Sequence, residues 1–163
     1  MLALLLVAAA SAAPAHPDLS GCWTLVPDPT PRTRGDLGSG WGSPLTLTQD
    51  ADQLGLQYAF FAPGELQSPL RFTYAFDGTE TSTVVWMGHG PQELRAHARW
   101  EGDRLVIVTA YPLVDPSTGA AMTVDVTRTL ALASPTSLTV ETTTAGVLGG
   151  RPTSTRVTYD QCP

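Results

Sequence analysis

From residue 20 onward, apolar and polar residues alternate one for one in short runs that stop at clusters of Gly, Pro, Asp and Ser. A period of two puts alternate side chains on opposite faces of a strand, and no sustained 3.6-residue period competes with it. The chain is therefore expected to be all-β. Candidate strands cover 20–26, 44–49, 53–61, 69–76, 80–88, 93–100, 104–111, 121–132, 137–143 and 153–161. Gln49-Asp50-Ala51-Asp52, Asp77-Gly78-Thr79, Glu101-Gly102-Asp103 and Ser134-Pro135-Thr136 place turn formers between successive runs. Such short joins make sequential antiparallel neighbours, so the expectation is a meander of about eight to ten strands.

Alternation also assigns faces. Leu54, Leu56, Tyr58 and Phe60 share one side, as do Phe72, Tyr74 and Phe76, and Leu94, Ala96, Ala98 and Trp100. Their opposite sides carry Arg71 and Thr73, then Glu93, Arg95, His97 and Arg99, a wet face. A long meander with one apolar face must cover that face and protect its edges. With no helix to do so, closure into a β-barrel is favoured over a sandwich. Three longer connections, 27–43, 112–120 and 144–152, are expected to line one mouth. The first contains a single aromatic residue, Trp41, and reads as a flap anchored by it.

With 163 residues, 42% hydrophobic and 15% charged, the chain has material for one domain. Nine arginines, no lysine and a net charge of -6 leave no basic stripe for a phosphate backbone or an anionic membrane surface. Residues 2–10, LALLLVAAA, form an apolar run too short to span a bilayer and followed by small residues of the A-x-A form. They read as the core of a signal peptide, with the mature chain starting at Ala13 or His16. The expected division is a leader over 1–15 and a single barrel domain over 16–163, exported to a periplasm or the exterior. No later run approaches the roughly 20 apolar residues of a membrane-spanning helix.

An exported chain meets an oxidising compartment, and Cys22 and Cys162 are its two cysteines. One disulfide between them is the economical reading, and closing so long a loop would stabilise the fold by at most about 5 kcal/mol. A second reading stays open: Leu19-Ser20-Gly21-Cys22 resembles a lipobox, in which Cys22 would carry a lipid anchor.

Gly21-Cys22-Trp23, opening the first strand, resembles the Gly-x-Trp motif of the calycin superfamily, the lipocalins and their relatives. The wider layout, with SGCW, PLTLTQDADQL, FTYAFDG, ARWEGDRLVIVT, TRTLAL and SLTVET, is similar to small exported bacterial proteins described as lipocalin-like. The resemblance implies a closed meander, with Gly21 and Trp23 at the barrel's closed end and an Arg from the last strand laid over the Trp. Arg156 lies in that strand. Its parity with Val157 and Tyr159 nevertheless turns it outward unless a bulge intervenes, whereas Arg151 has the inward parity.

Arg128 is the chief oddity. The parity of Met122, Val124, Val126, Leu130 and Leu132 sets it on the interior face, where a guanidinium needs an acceptor. An anionic ligand group or an internal carboxylate would serve; a bulge or a place at the rim would remove the need. Around a cavity, Tyr58, Tyr74 and Trp100 would add apolar wall with polar tips. His89 and His97 have no partners at metal-ligand spacing, and no residue set points to a metal or cofactor. No G-x-S-x-G or other nucleophile setting occurs, and Glu101 and Asp103 belong to a turn. Arg34-Gly35-Asp36 is a short tripeptide of low information, and Gly35, Gly38, Gly40 and Gly42 lack the lysine and helix of a phosphate loop.

These readings converge on a monomeric, non-catalytic, exported barrel that binds a small apolar or amphiphilic molecule. The rival is an inhibitor of secreted proteases, since such barrels share an LSG-x-W first strand and insert an N-terminal arm, here His16-Pro17-Asp18. An enzymatic role has no constellation to name.

Overall fold

A computed structural model describes residues 16–28, 41–58, 61–62, 65–66, 69–87, 90–146 and 150–163. The leader, Phe60, His89, the Arg34-Gly35-Asp36 tripeptide, Gly35, Gly38 and Gly40 lie outside the described residues. Among the described residues twelve strands run in chain order: β1 (Gly21–Leu25), β2 (Leu45–Gln49), β3 (Gln53–Tyr58), β4 (Phe61–Ala62), β5 (Glu65–Leu66), β6 (Leu70–Ala75), β7 (Thr81–Met87), β8 (Gly90–Glu101), β9 (Arg104–Val114), β10 (Ala121–Ser134), β11 (Ser137–Thr144) and β12 (Thr153–Gln161). Ten of them form one antiparallel sheet in the order β6-β3-β2-β1-β12-β11-β10-β9-β8-β7, and β4 pairs with β5 in a small separate hairpin. The sheet is the expected meander. Its end strands β6 and β7 come to lie side by side, so the sheet curls into a nearly closed barrel.

Two joins differ from their sequence reading. Asp77-Gly78-Thr79 makes a tight turn, with Asp77 Oδ1 accepting from the Thr79 amide (2.9 Å) and hydroxyl (2.7 Å). Yet β6 and β7 share no ladder, because residues 76–80 form a connection wider than a two-residue hairpin and the strands leave it apart. The expected loop 112–120 is shorter than its sequence reading, since Pro112, Leu113 and Val114 still pair with β10; its tip is closed by the Asp115 amide on the Ala120 carbonyl (2.9 Å).

Parity works as physics requires. Leu54, Leu56, Phe72, Tyr74, Leu94, Ala96 and Ala98 are buried, while Arg71, Thr73, Glu93, Arg95, His97 and Arg99 are exposed. Buried Leu45, Leu47, Leu105, Ile107, Leu130, Leu138, Val140 and Tyr159 complete the interior. At about 25 cal/mol per Å² of buried apolar surface, this layer is the main force that holds the sheet curled. No helix among the described residues is long and apolar enough to cross a membrane.

The two ends of the barrel are built differently. One carries the shorter connections, at 50–52, 76–80, 102–103 and 135–136. The other carries the longer connections, 26–44, 59–69, 115–120 and 145–152.

Candidate functional site

The tight-turn end is sealed by the chain's own N-terminal segment. Leu19 is fully buried, and its carbonyl accepts from Trp23 Nε1 at 3.0 Å. Gln49 fixes the segment, its Oε1 accepting from the Leu19 amide (3.0 Å) and its Nε2 donating to the Pro17 carbonyl (3.1 Å). His16 stacks on Trp100 with ring centroids 4.5 Å apart, and Phe76 meets the same indole edge-on at 5.6 Å. Trp100 is thus part of this seal rather than of an open wall, and its Nε1 is buried there without a hydrogen-bond partner. Gly21 adopts φ +142°, a region that an L side chain rarely enters, which explains a glycine two residues before Trp23.

The resemblance's expectation that Arg156 covers Trp23 is corrected here. The β11–β12 ladder runs without a bulge from Ser137↔Asp160 to Thr144↔Thr153, so Arg156 keeps its outward parity and lies 3.6 Å from Glu141. Arg151 precedes β12 and is exposed. The Leu19 carbonyl satisfies the indole instead. On the outer side of the same strands, Cys22 and Cys162 are joined by a disulfide with Cα atoms 5.3 Å apart, tying β1 to the chain end after β12. Parity makes this pairing available: Trp23 turns inward, and Cys22 outward beside Cys162.

Toward the long-loop end the interior changes character. The β9–β10 ladder is regular from Leu130↔Leu105 to Ala121↔Val114, so no bulge turns Arg128 aside, and the residue is only 9% exposed. Its Nη1 donates to the Tyr111 hydroxyl at 3.2 Å. Its guanidinium carbon lies 5.0 Å from the centre of the Trp41 ring and 5.9 Å from that of Tyr111, within cation–π range. Its Nε is buried without a hydrogen-bond partner, and so is the Thr109 hydroxyl. Among the described residues no carboxylate pairs with Arg128; the ion pairs there involve Arg95, His97, Arg99 and Arg156 on exposed side chains. The internal carboxylate that the sequence left open is therefore absent among the described residues.

Trp41 is 6% exposed, and its carbonyl accepts a 2.7 Å hydrogen bond from the buried Tyr159 hydroxyl. The long first connection is thus anchored inside the barrel at the point where Trp41 covers Arg128. Tyr58, Phe72 and Tyr74 form a ladder of parallel rings with centroids 6.1 and 6.2 Å apart. Burial pushes the phenols of Tyr58, Tyr74 and Tyr159 above the ordinary tyrosine value, and the positive charge of Arg128 opposes that shift at all three. Arg128, Tyr58, Tyr74 and Trp41 therefore belong together, whereas Trp100 belongs to the seal. Sequence reasoning missed Tyr111, Thr109, Thr142 and Tyr159 as members of this set. The parity of β9 and β11 held the signal, since Thr109 and Thr142 are polar residues at inward positions.

His97 lies on the outer face, with Nδ1 3.0 Å from the Gly78 carbonyl and Nε2 3.5 Å from Glu80. No group of three or more His, Cys, Asp or Glu among the described residues could hold a metal ion. On the outside, Val84 and Trp86 of β7 and Val114 of β9 are exposed. Set against protein-family models, curated proteins and solved structures, the chain matches none.

Proposed function

We propose that this protein is an exported, monomeric, non-catalytic barrel of the lipocalin-like kind, and that it holds one small apolar or amphiphilic molecule in the half of its interior facing the long loops. Arg128 is the observation that carries this reading. A guanidinium with a buried, unpartnered Nε costs stability, and a barrel that needed only to fold would be served as well by an aliphatic side chain. The Tyr58–Phe72–Tyr74 ring ladder and Trp41 supply the apolar wall such a site requires. The Gly21-Cys22-Trp23 opening and the closed meander support the calycin likeness, and the disulfide suits an oxidising, extracytoplasmic compartment.

No observation favours the protease-inhibitor reading, which needs a free N-terminal arm, whereas Leu19 is buried and His16 is stacked on Trp100. The test is the intact mass of the secreted protein under native and then denaturing conditions. The expected result is a discrete extra mass that denaturation releases. A bare native mass, with no uptake from a panel of amphiphiles, would overturn the proposal.

A further inference from the structure

We infer that the barrel wall carries a docking cleft for an extended basic peptide, between β8 and β9 at the long-loop end. There the sheet splits. The β8–β9 ladder stops at Arg95↔Ala110, yet β8 goes on to Gly90 in register with β7, and β9 goes on to Val114 in register with β10. Stepping that ladder onward would set Glu93 opposite Pro112 and Pro91 opposite Val114. Alternate residues of an antiparallel strand bond to opposite neighbours. Because Pro91 has a complete pairing with Trp86, and Pro112 with Thr123, each proline's missing N–H belongs on the β8–β9 side. Bonds are thus lost in succession and the strands part, with a groove of about 520 Å³ lined by Pro91, Glu93, Arg95, Pro112 and Thr123 among others.

A split sheet has two open edges, and an extended chain is the partner whose backbone matches both. By the same alternation Glu93 and Val114 direct their N–H and C=O groups into the cleft. Side chains of an inserted strand would alternate between the two faces. Those pointing inward would meet Leu113 and Tyr111 at the barrel rim, an apolar setting. Those pointing outward would meet carboxylates: Glu93 lines the groove, and exposed Asp125 lies beside it, paired with Ala110 across β9–β10. Arg95, the groove's own guanidinium, is already committed to Glu93 at 3.2 Å and Glu80 at 3.7 Å. Val84, Val114 and Trp86, the last 75% exposed, flank the same rows. A lysine side chain fits this combination, its aliphatic stem lying on such surface and its ammonium ending at the carboxylates, and a chain of net charge -6 attracts it. The occupant is therefore a strand that alternates lysine or arginine with an aliphatic residue.

The probe is the acetylated, amidated hexapeptide Lys-Val-Lys-Val-Lys-Val, titrated into the oxidised mature protein and followed by calorimetry and amide-resolved NMR. It should bind, with amide shifts centred on Glu93 and Val114 and slower hydrogen exchange at both. Replacing its lysines by glutamates should weaken binding about tenfold or more, and N-methylating the lysines should abolish it. Pro112→Val returns a missing N–H, so the ladder should extend past Arg95↔Ala110 and the peptide should bind about tenfold or more weakly, with the urea midpoint no lower. Should P112V not fold, Pro91→Val makes the same test from β8. No binding of the basic peptide, equal binding of the acidic one, or unchanged binding by the variant would overturn the proposal. So would amides of Glu93 and Val114 already protected in a protein that sediments as a dimer, which would assign the cleft to a second copy. The molecule held inside the barrel is tested separately, since none of these outcomes depends on it.

Discussion

The two ends of this barrel solve the same covering problem in opposite ways. At the tight-turn end the interior is closed by Leu19, Trp23, Phe76 and Trp100, with the indole N–H of Trp23 satisfied by a backbone carbonyl and that of Trp100 buried without a partner. Around Arg128 it holds a cation, four tyrosines and inward threonines, with two polar atoms left unpartnered. Each end thus leaves a buried polar atom without a partner, at about 1–3 kcal/mol each, but only the second buries a cation, which a sheet that had only to fold would replace by an aliphatic side chain. The buried charge of Arg128, not the count of unpartnered atoms, is what sets the second region apart from one built for stability alone.

The largest effect expected from breaking that contrast is at the sealed end. Trp23→Ala removes a fully buried indole and should cost about 3–5 kcal/mol, read as a lower urea midpoint. Reducing the Cys22–Cys162 bond should cost about 2–5 kcal/mol, checked by unfolding with and without reductant. Alkali should produce a smaller loss. Burial pushes the Tyr159 phenol up to about 12, against an ordinary 10.0, with the Arg128 charge opposing the shift. A folded-state pKa above the unfolded one gives stability that is complete below pH 10 and is lost as pH rises through 12, because the unfolded chain releases its proton first. Denaturation followed between those limits should show it, and Tyr159→Phe should remove that part of the alkaline loss. The smallest change belongs to the cation: Arg128→Met should alter stability by less than about 1 kcal/mol or raise it, since no buried partner is orphaned of its charge. A loss of several kcal/mol in R128M would mean that Arg128 serves the fold, and the contrast between the ends would disappear.

The strands and their faces were legible because a period of two states both the element and its inward residues, as at Leu94, Ala96 and Ala98. Arg128 was legible for the same reason: one charged residue broke an otherwise apolar parity. The pairing of Cys22 with Cys162 was one of two open readings, and strand parity around Trp23 supports it. What escaped depended on distance across the barrel. Nothing in the local sequence says that Trp41 reaches Arg128, that Tyr111 meets it from the next strand, or that Trp100 stacks on His16. The seal over Trp23 escaped because the resemblance supplied an arginine where this chain uses the carbonyl of Leu19. The extent of β9 and β10 was underestimated because Pro112 reads as a strand breaker, although here it pairs with Thr123.

The most direct test of the account is an amide-resolved NMR titration of the labelled protein with octanoate. The account predicts perturbations centred on Thr109, Tyr111, Arg128 and Thr142, with Leu19, Trp23, Leu105 and Leu138 unmoved. Perturbations confined to the outer face around Val84 and Trp86, or spread equally into the sealed end, would contradict it.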